Sequence, residues 1–118
     1  MDNIKQTDRD LLAKVADIAG MVEYQAGTVV SRTIMDRPTG TVTIFAFDKG
    51  QGLSEHTAPF DALVNVLDGT AIVAISGVEH QLKAGEAIIM PANDPHALKA
   101  DEQFKMMLVM IRGANLDT

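Results

Sequence analysis

A chain of 118 residues fits one domain built around a single buried core. Ten Lys and Arg against sixteen Asp and Glu give a formal net charge of −6, which argues against nucleic acid and anionic membrane as partners, since both need a cationic face. There is no cysteine, so disulfides and thiol chemistry are excluded.

The opening "MDNIKQTDRD" is charged and has no apolar core, so it does not read as a secretion signal. No run approaches the roughly 20 apolar residues of a membrane span, and a cytoplasmic protein is the expectation. In "TDRDLLAKVADIAG", Thr7 or Asp8 offers a cap for a short helix near residues 8–19, and Gly20 offers its end. Leu11, Leu12, Val15 and Ile18 then share a face that needs covering, by the rest of the chain or by a second subunit. Residues 1–21 are set apart as this N-terminal segment.

From residue 22 the pattern becomes one of short strands between turn residues. "TVVSRTIM" is rich in β-branched residues and ends at "DRPTG"; "TVTIFAF" follows and is closed by "DKGQG". "ALVNVL" leads to Asp68-Gly69, and "TAIVAI" to Ser76-Gly77, each pair reading as a hairpin turn between apolar runs. "VEHQL", "AIIM" and "FKMMLVMI" complete seven or eight strands with no helix among them. Regular short spacing of this kind predicts an all-β antiparallel sandwich or barrel over residues 22–112, with 113–118 as a tail.

The histidines stand in different settings. His56 and Ala58 alternate on one predicted strand face, and His96 follows the turn "MPANDP". His80 shares a face with Val78 and Leu82 and reads as a packing residue. The methionines Met90, Met106, Met107 and Met110 are of a type that can ligate a soft metal such as Cu(I), but strand methionines more often fill cores. Lys105 interrupts an apolar strand, where it either meets an anionic ligand or lies solvated on the outer face.

These neighbourhoods resemble the two sequence motifs of the cupins, small RmlC-like barrels of jelly-roll type (a double-stranded β-helix). In the first motif Gly50 stands five residues ahead of His56, and Gly69 closes the run; in the second, Gly85, Pro91 and His96 fall at the family's spacing. Asn93 stands where the family has glycine, a change compatible with a left-handed turn conformation. The resemblance runs from Val22 to Arg112 and implies a jelly-roll barrel with His56, Ala58, Ala62, His96 and Ala100 around its pocket.

It also implies a depleted metal site. The family's second histidine is Ala58 here, its glutamate is Ala62, and its closing asparagine is Ala100. Of the four ligands in metal-binding cupins only His56 and His96 remain, which leaves room for no more than a weakly bound divalent transition metal. Asp61 is one residue from the glutamate position and Glu55 is beside His56. Regular alternation turns both away from the pocket, although a bulge near Pro59 would bring Asp61 inward.

Two functions follow as expectations. The first is a barrel that binds a small organic molecule in a pocket the alanines have enlarged and made less polar. The second is a metal-dependent oxygenase or isomerase using His56, His96 and a recruited third ligand. A neutral pocket histidine would also serve as a general base without metal, while the bland alternative is a hydrogen-bonded pair in a residual barrel mouth. The resemblance, and the apolar N-terminal stripe, lead us to expect a homodimer with residues before about Val30 in the contact.

Overall fold

The computed structural model describes residues 6–112 and shows an antiparallel barrel of two sheets that share one strand. A short helix, α1 (Gln6–Leu11), is followed by irregular chain and a 3-10 turn at Ala19–Met21. Eight strands come next among the described residues: β1 (Val29–Arg37), β2 (Gly40–Phe47), β3 (Gly52–His56), β4 (Asp61–Ile75), β5 (Val78–Lys83), β6 (Ala87–Met90), β7 (His96–Lys99) and β8 (Phe104–Ile111). Every pairing is antiparallel. One sheet runs β1-β2-β8-β4-β6 and the other β5-β4-β7-β3, the arrangement of a jelly-roll barrel. No helix among the described residues is long and apolar enough to cross a membrane. The tail at 113–118 lies outside the described residues.

The fold corrects the reading of Asp68-Gly69 as a hairpin. β4 passes straight through this pair as one strand of 15 residues, serving the first sheet with its N-terminal half and the second with its C-terminal half. A register shift between Val66 and Asp68 inserts one extra residue opposite β8. Such a bulge reverses which side chains face inward. Ala62, Val64 and Val66 are buried before it, and Ala71 and Val73 after it, so the buried positions change from even to odd. Ser76-Gly77, by contrast, is a true two-residue hairpin: both residues have positive φ (50° and 81°), as a type I′ turn requires.

The barrel interior holds Phe47 and Phe104 stacked at 4.5 Å between ring centroids, together with the inward side chains of β4 and β8. A second apolar cluster lies on the opposite face of β2. There Ile44 and Ala46 are fully buried beneath Leu11, Ile18 and Met21 of the N-terminal segment and the adjoining Val22. The expected helix over residues 8–19 is therefore corrected. It stops at Leu11 because Ala13 takes a left-handed conformation (φ 59°), which no α-helix continues through. The predicted stripe divides accordingly: Leu11 and Ile18 pack on the barrel, while Leu12 and Val15 remain exposed.

Tyr24 and Lys105 fasten this segment. The Tyr24 hydroxyl donates to the Asp68 carboxylate, and the Lys105 ammonium donates to the Ala19 carbonyl at 2.7 Å while lying 5.2 Å from the Tyr24 ring centroid. Burial first, then the hydrogen bond and charge of Asp68, raise the Tyr24 pKa. Lys105 thus ties the chain's N-terminal arm to the outer wall instead of facing a ligand.

Gly69 (φ 74°) is where the bulge presses closest on a neighbour: a Cβ there would lie 2.2 Å from the Gln103 carbonyl oxygen. Gly77 has a similar φ but open space around it. Gly77→Ala should therefore cost about 1 kcal/mol from backbone strain alone. Gly69→Ala should cost about 3 kcal/mol or more, because β4 and β8 must separate to admit the methyl group. Urea unfolding of the two variants, at equal m-value, reads the difference directly.

Candidate functional site

The cross-strand pair His56 and His96 is placed by backbone register. β3 pairs with β7, and His56 stands directly opposite His96 although 40 residues separate them in sequence. Opposed residues on one sheet face have Cβ atoms about 5 Å apart, close enough for two imidazoles to meet. Their Nε2 atoms lie 3.1 Å apart, with ring centroids 4.3 Å apart and an interplanar angle of 75°. His96 is buried at 4% exposure, while His56 forms the exposed rim.

A second bulge makes this possible. Between the pairs Leu53–Leu98 and His56–His96, β3 advances three residues while β7 advances two. In a regular strand Leu53 and His56 would point to opposite faces; the extra residue turns both into one cavity. The break in regular alternation thus falls at residues 54 and 55, not near Pro59, where a bulge would have turned Asp61 inward. Ala58 follows the end of β3, so it is not a strand neighbour of His56, yet it also lines the cavity.

The cavity measures about 120 Å³ and is almost wholly apolar. Leu53, Ala58, Ala62 and Leu98 form part of its wall, and Met90, Met106, Leu108 and Met110 complete it. Ala62 lies in the middle of one row across the sheet, with Met90 of β6 opposite it on one side and Met110 of β8 on the other. Ala100 does not reach this space. His96, Leu98 and Ala100 share the inward face of β7 and its extension, but four residues of strand place Ala100 about 13 Å beyond His96. It is buried in the core instead, its backbone bonded to Gln51 and Gly50.

The loop between β6 and β7 is clamped onto the site. Asn93 takes the left-handed conformation expected of it (φ 70°), and its N–H donates to the Ala58 carbonyl at 2.7 Å. Asp61 accepts the Ala92 N–H at 2.9 Å. This carboxylate caps the loop that delivers His96 and does not line the cavity; Glu55, in the β3 bulge, is exposed and does not line it either. Among the described residues, no three His, Cys, Asp or Glu side chains come together as a metal cluster. His80 lies opposite Val73 near buried Leu82, but Val78 at the hairpin end is 58% exposed, so the expected apolar face is only partly covered.

Hydrogen bonding fixes the chemistry of the imidazole pair. The Nδ1 of His56 faces the Ser54 carbonyl at 2.7 Å, and that of His96 faces the Asp94 carbonyl at 3.2 Å. A carbonyl can only accept, so each neutral ring carries its proton on Nδ1. Both Nε2 atoms are then bare, and they oppose lone pair to lone pair across 3.1 Å. Only a donor or cation presented to them makes this contact attractive. Burial, and next the neighbouring His56, lower the His96 pKa below its ordinary 6.5, against a smaller opposing effect of the Asp94 carbonyl. A larger cleft of about 300 Å³ between the N-terminal segment and β1 is lined by Leu11, Ile18, Met21 and Ile34; it is the seam of the arm and holds no histidine.

Residues 43–112 match the Cupin domain family. The chain belongs to the cupins. A conserved protein of unknown function from Streptococcus pyogenes is 36% identical over 97% of this chain and 95% of its own, with a TM-score of 0.82. A cupin 2 conserved barrel domain protein from Leptotrichia buccalis is 45% identical over 79% of this chain and 45% of its own, with a TM-score of 0.77. A salicylate 1,2-dioxygenase variant from Pseudoaminobacter salicylatoxidans shares the fold alone, at 17% identity over 73% of this chain and 27% of its own, with a TM-score of 0.67. No curated protein matches the chain.

The cupin metal set of three histidines and a glutamate does not fit here. Ala58 and Ala62 occupy two of its positions on the cavity wall and offer no lone pair. Sequence reasoning assigned the methionines to packing. Their alignment on either side of Ala62 follows from the register of β6 and β8, which is set by long-range pairing and not by local pattern.

The lowered His96 pKa has a consequence for stability. Between the folded value and 6.5 the unfolded chain binds more protons, so stability should fall as pH drops below about 6.5. Melting temperatures between about pH 7.5 and 5.5 should fall more steeply in the wild type than in His96→Gln. A rise in stability on acidification, lost in His96→Gln, would show instead that a proton shared by the two Nε2 atoms governs the site.

Proposed function

We propose that this cupin binds a small apolar organic molecule carrying one hydrogen-bond donor, which enters the cavity and presents that donor to the bare imidazole pair. The observation that carries the reading is the pair itself: two acceptors face each other at the mouth of an otherwise apolar space. Binding pockets commonly join apolar walls to a few placed polar groups. The volume of about 120 Å³ limits the buried part of the ligand, since an apolar cavity of about 150 Å³ holds one benzene. The alternative of a metal-dependent oxygenase or isomerase lacks support in the donor set, because Asp61 is engaged by the loop and Glu55 faces outward. A second copy of the chain is the partner we favour, supported by Leu12 and Val15, which stay exposed on the N-terminal arm at 57% and 105%.

Titrating the ¹⁵N-labelled protein with alcohols, phenols and carboxylic acids of about three to six carbons tests the pocket. Amide shifts should cluster at Leu53, Met90, His96, Leu98 and Met110 and should vanish in Ala62→Leu, which fills the cavity. Shifts that survive Ala62→Leu, or none at the cavity, would refute the reading.

Removal of metal gives a separate check. EDTA should leave the melting temperature of the wild type nearly unchanged, since no carboxylate joins the two histidines. The double substitution Ala58→His with Ala62→Glu restores the cupin ligand set and should make stability depend on a divalent metal. A large EDTA-induced fall in the wild type would show a third ligand and bring the enzyme reading forward.

A further inference from the structure

We propose that the cleft between the N-terminal arm and β1 is a second binding site, separate from the barrel cavity, for an anionic amphiphile: a carboxylate on an alkyl chain of about eight carbons. The cleft measures about 300 Å³, twice the roughly 150 Å³ of an apolar cavity that holds one benzene. Both of its walls are built by departures from regular backbone. On the barrel side, β1 is the edge strand of its sheet and carries a bulge. Between the pairs Thr33–Thr43 and Met35–Val42 it advances two residues while β2 advances one. Ile34 and Met35 would point to opposite faces of a regular strand, yet both line the cleft. On the arm side, the left-handed Ala13 gathers Leu11, Leu12 and Lys14 onto one wall. A continuing helix would set successive residues about 100° apart and turn some of them away.

The lining gives the alkyl chain its place. Leu12 and Met35 line the cleft at 57% and 46% exposure, so a chain laid between them covers apolar surface that the fold leaves to water. Charge gives the head group its sign. The protein carries six more acidic than basic residues, yet the charged residues lining this cleft are Lys14 and Arg37, and among the described residues no carboxylate lines it. Lys14 is exposed and Arg37 half-buried, a placement that suits a head group at the water boundary with its tail inside. The Arg37 guanidinium donates to the Asp36 carbonyl at 3.1 Å, so Lys14 is the main partner of the carboxylate and Arg37 adds its charge. The whole chain's charge of −6 opposes an anionic bilayer, and a free carboxylate is therefore the occupant. Val15 is not part of the lining, so the surface favoured above for a second copy adjoins the cleft through Leu12 without filling it.

The test is titration of the ¹⁵N-labelled full chain with octanoate, 1-octanol and octylammonium, which share a tail and differ in head group. Octanoate should saturate one site and shift the amides of Leu12, Lys14, Ile34 and Met35. Octanol should bind at least about fivefold more weakly and octylammonium more weakly still, and added salt should erode the preference for octanoate. Lys14→Glu, at an exposed position, should weaken octanoate at least about tenfold and leave octanol nearly unchanged. Should Lys14→Glu lose its fold by circular dichroism, the three head groups on the wild type still decide the matter. Ala62→Leu fills the barrel cavity and should leave octanoate binding at the cleft intact, which separates the two sites. Equal affinity for octanoate and octylammonium, full affinity in Lys14→Glu, or octanoate shifts confined to the barrel cavity would overturn the proposal. Binding to phosphatidylglycerol vesicles without octanoate shifts would overturn it in favour of a membrane surface. Absence of octanoate shifts in a dimer that Leu12→Ser dissociates would overturn it in favour of a second copy.

Discussion

The parity of side chains along β4 is the constraint on which this barrel depends. One strand serves two sheets, and it can feed the same interior from both only if its inward positions change from even to odd on the way. The single extra residue at the Val66–Asp68 bulge makes that change, and Gly69 lets β8 approach the bent backbone. Without it, either Ala62, Val64 and Val66 or Ala71 and Val73 would face solvent. The outer wall is locked at the same place. Asp68, turned outward by the bulge, accepts from Tyr24, and its register partner Lys105 holds the arm through Ala19. The bend thus organises the core and the attachment of the N-terminal segment together.

A bulge of the same kind builds the site. In β3 the extra residue brings Leu53 and His56 to one face and sets His56 against His96. When both rings are neutral, each imidazole is committed by a backbone carbonyl, and neither can donate to the other without giving up that bond. The pair is held in an arrangement that its own hydrogen bonding does not satisfy. Burial of His96 opposes relief of the conflict by charging the inner ring. Sites that a fold maintains against local preference are where binding is expected.

Much of this was legible in the sequence, and the gaps have physical causes. The cupin spacing placed His56 and His96 together across 40 residues, and Asn93 was recognised as a residue able to stand in for a turn glycine. Asp68-Gly69 was misread because a strand bulge and a hairpin use the same residues; the distinction lies in the change of buried parity from Val66 to Ala71, which an almost wholly apolar run does not display in sequence. The end of α1 was misplaced since Ala13 carries no sequence signal for the left-handed conformation it adopts. Ala100 was assigned to the pocket by spacing along a motif, which fixes its face but not its depth. The row Met90–Ala62–Met110 joins three strands far apart in sequence, and no local pattern announces it.

The cost of keeping the cavity bears on how it should be read. Leaving about 120 Å³ unfilled in a core sacrifices roughly 3 kcal/mol at about 24 cal/mol per Å³, an upper bound here because the rim at His56 is open to water. That is a large fraction of the stability of a small domain, and cores otherwise close such voids. Ala62 is the residue that keeps the space open: a branched aliphatic side chain there, between Met90 and Met110, would occupy much of it. Filling the void from outside recovers the same free energy. An occupant therefore gains up to about a hundredfold in affinity from displacement of empty space alone, before any bond to the imidazoles is counted. An apolar ligand with one donor collects both contributions at once.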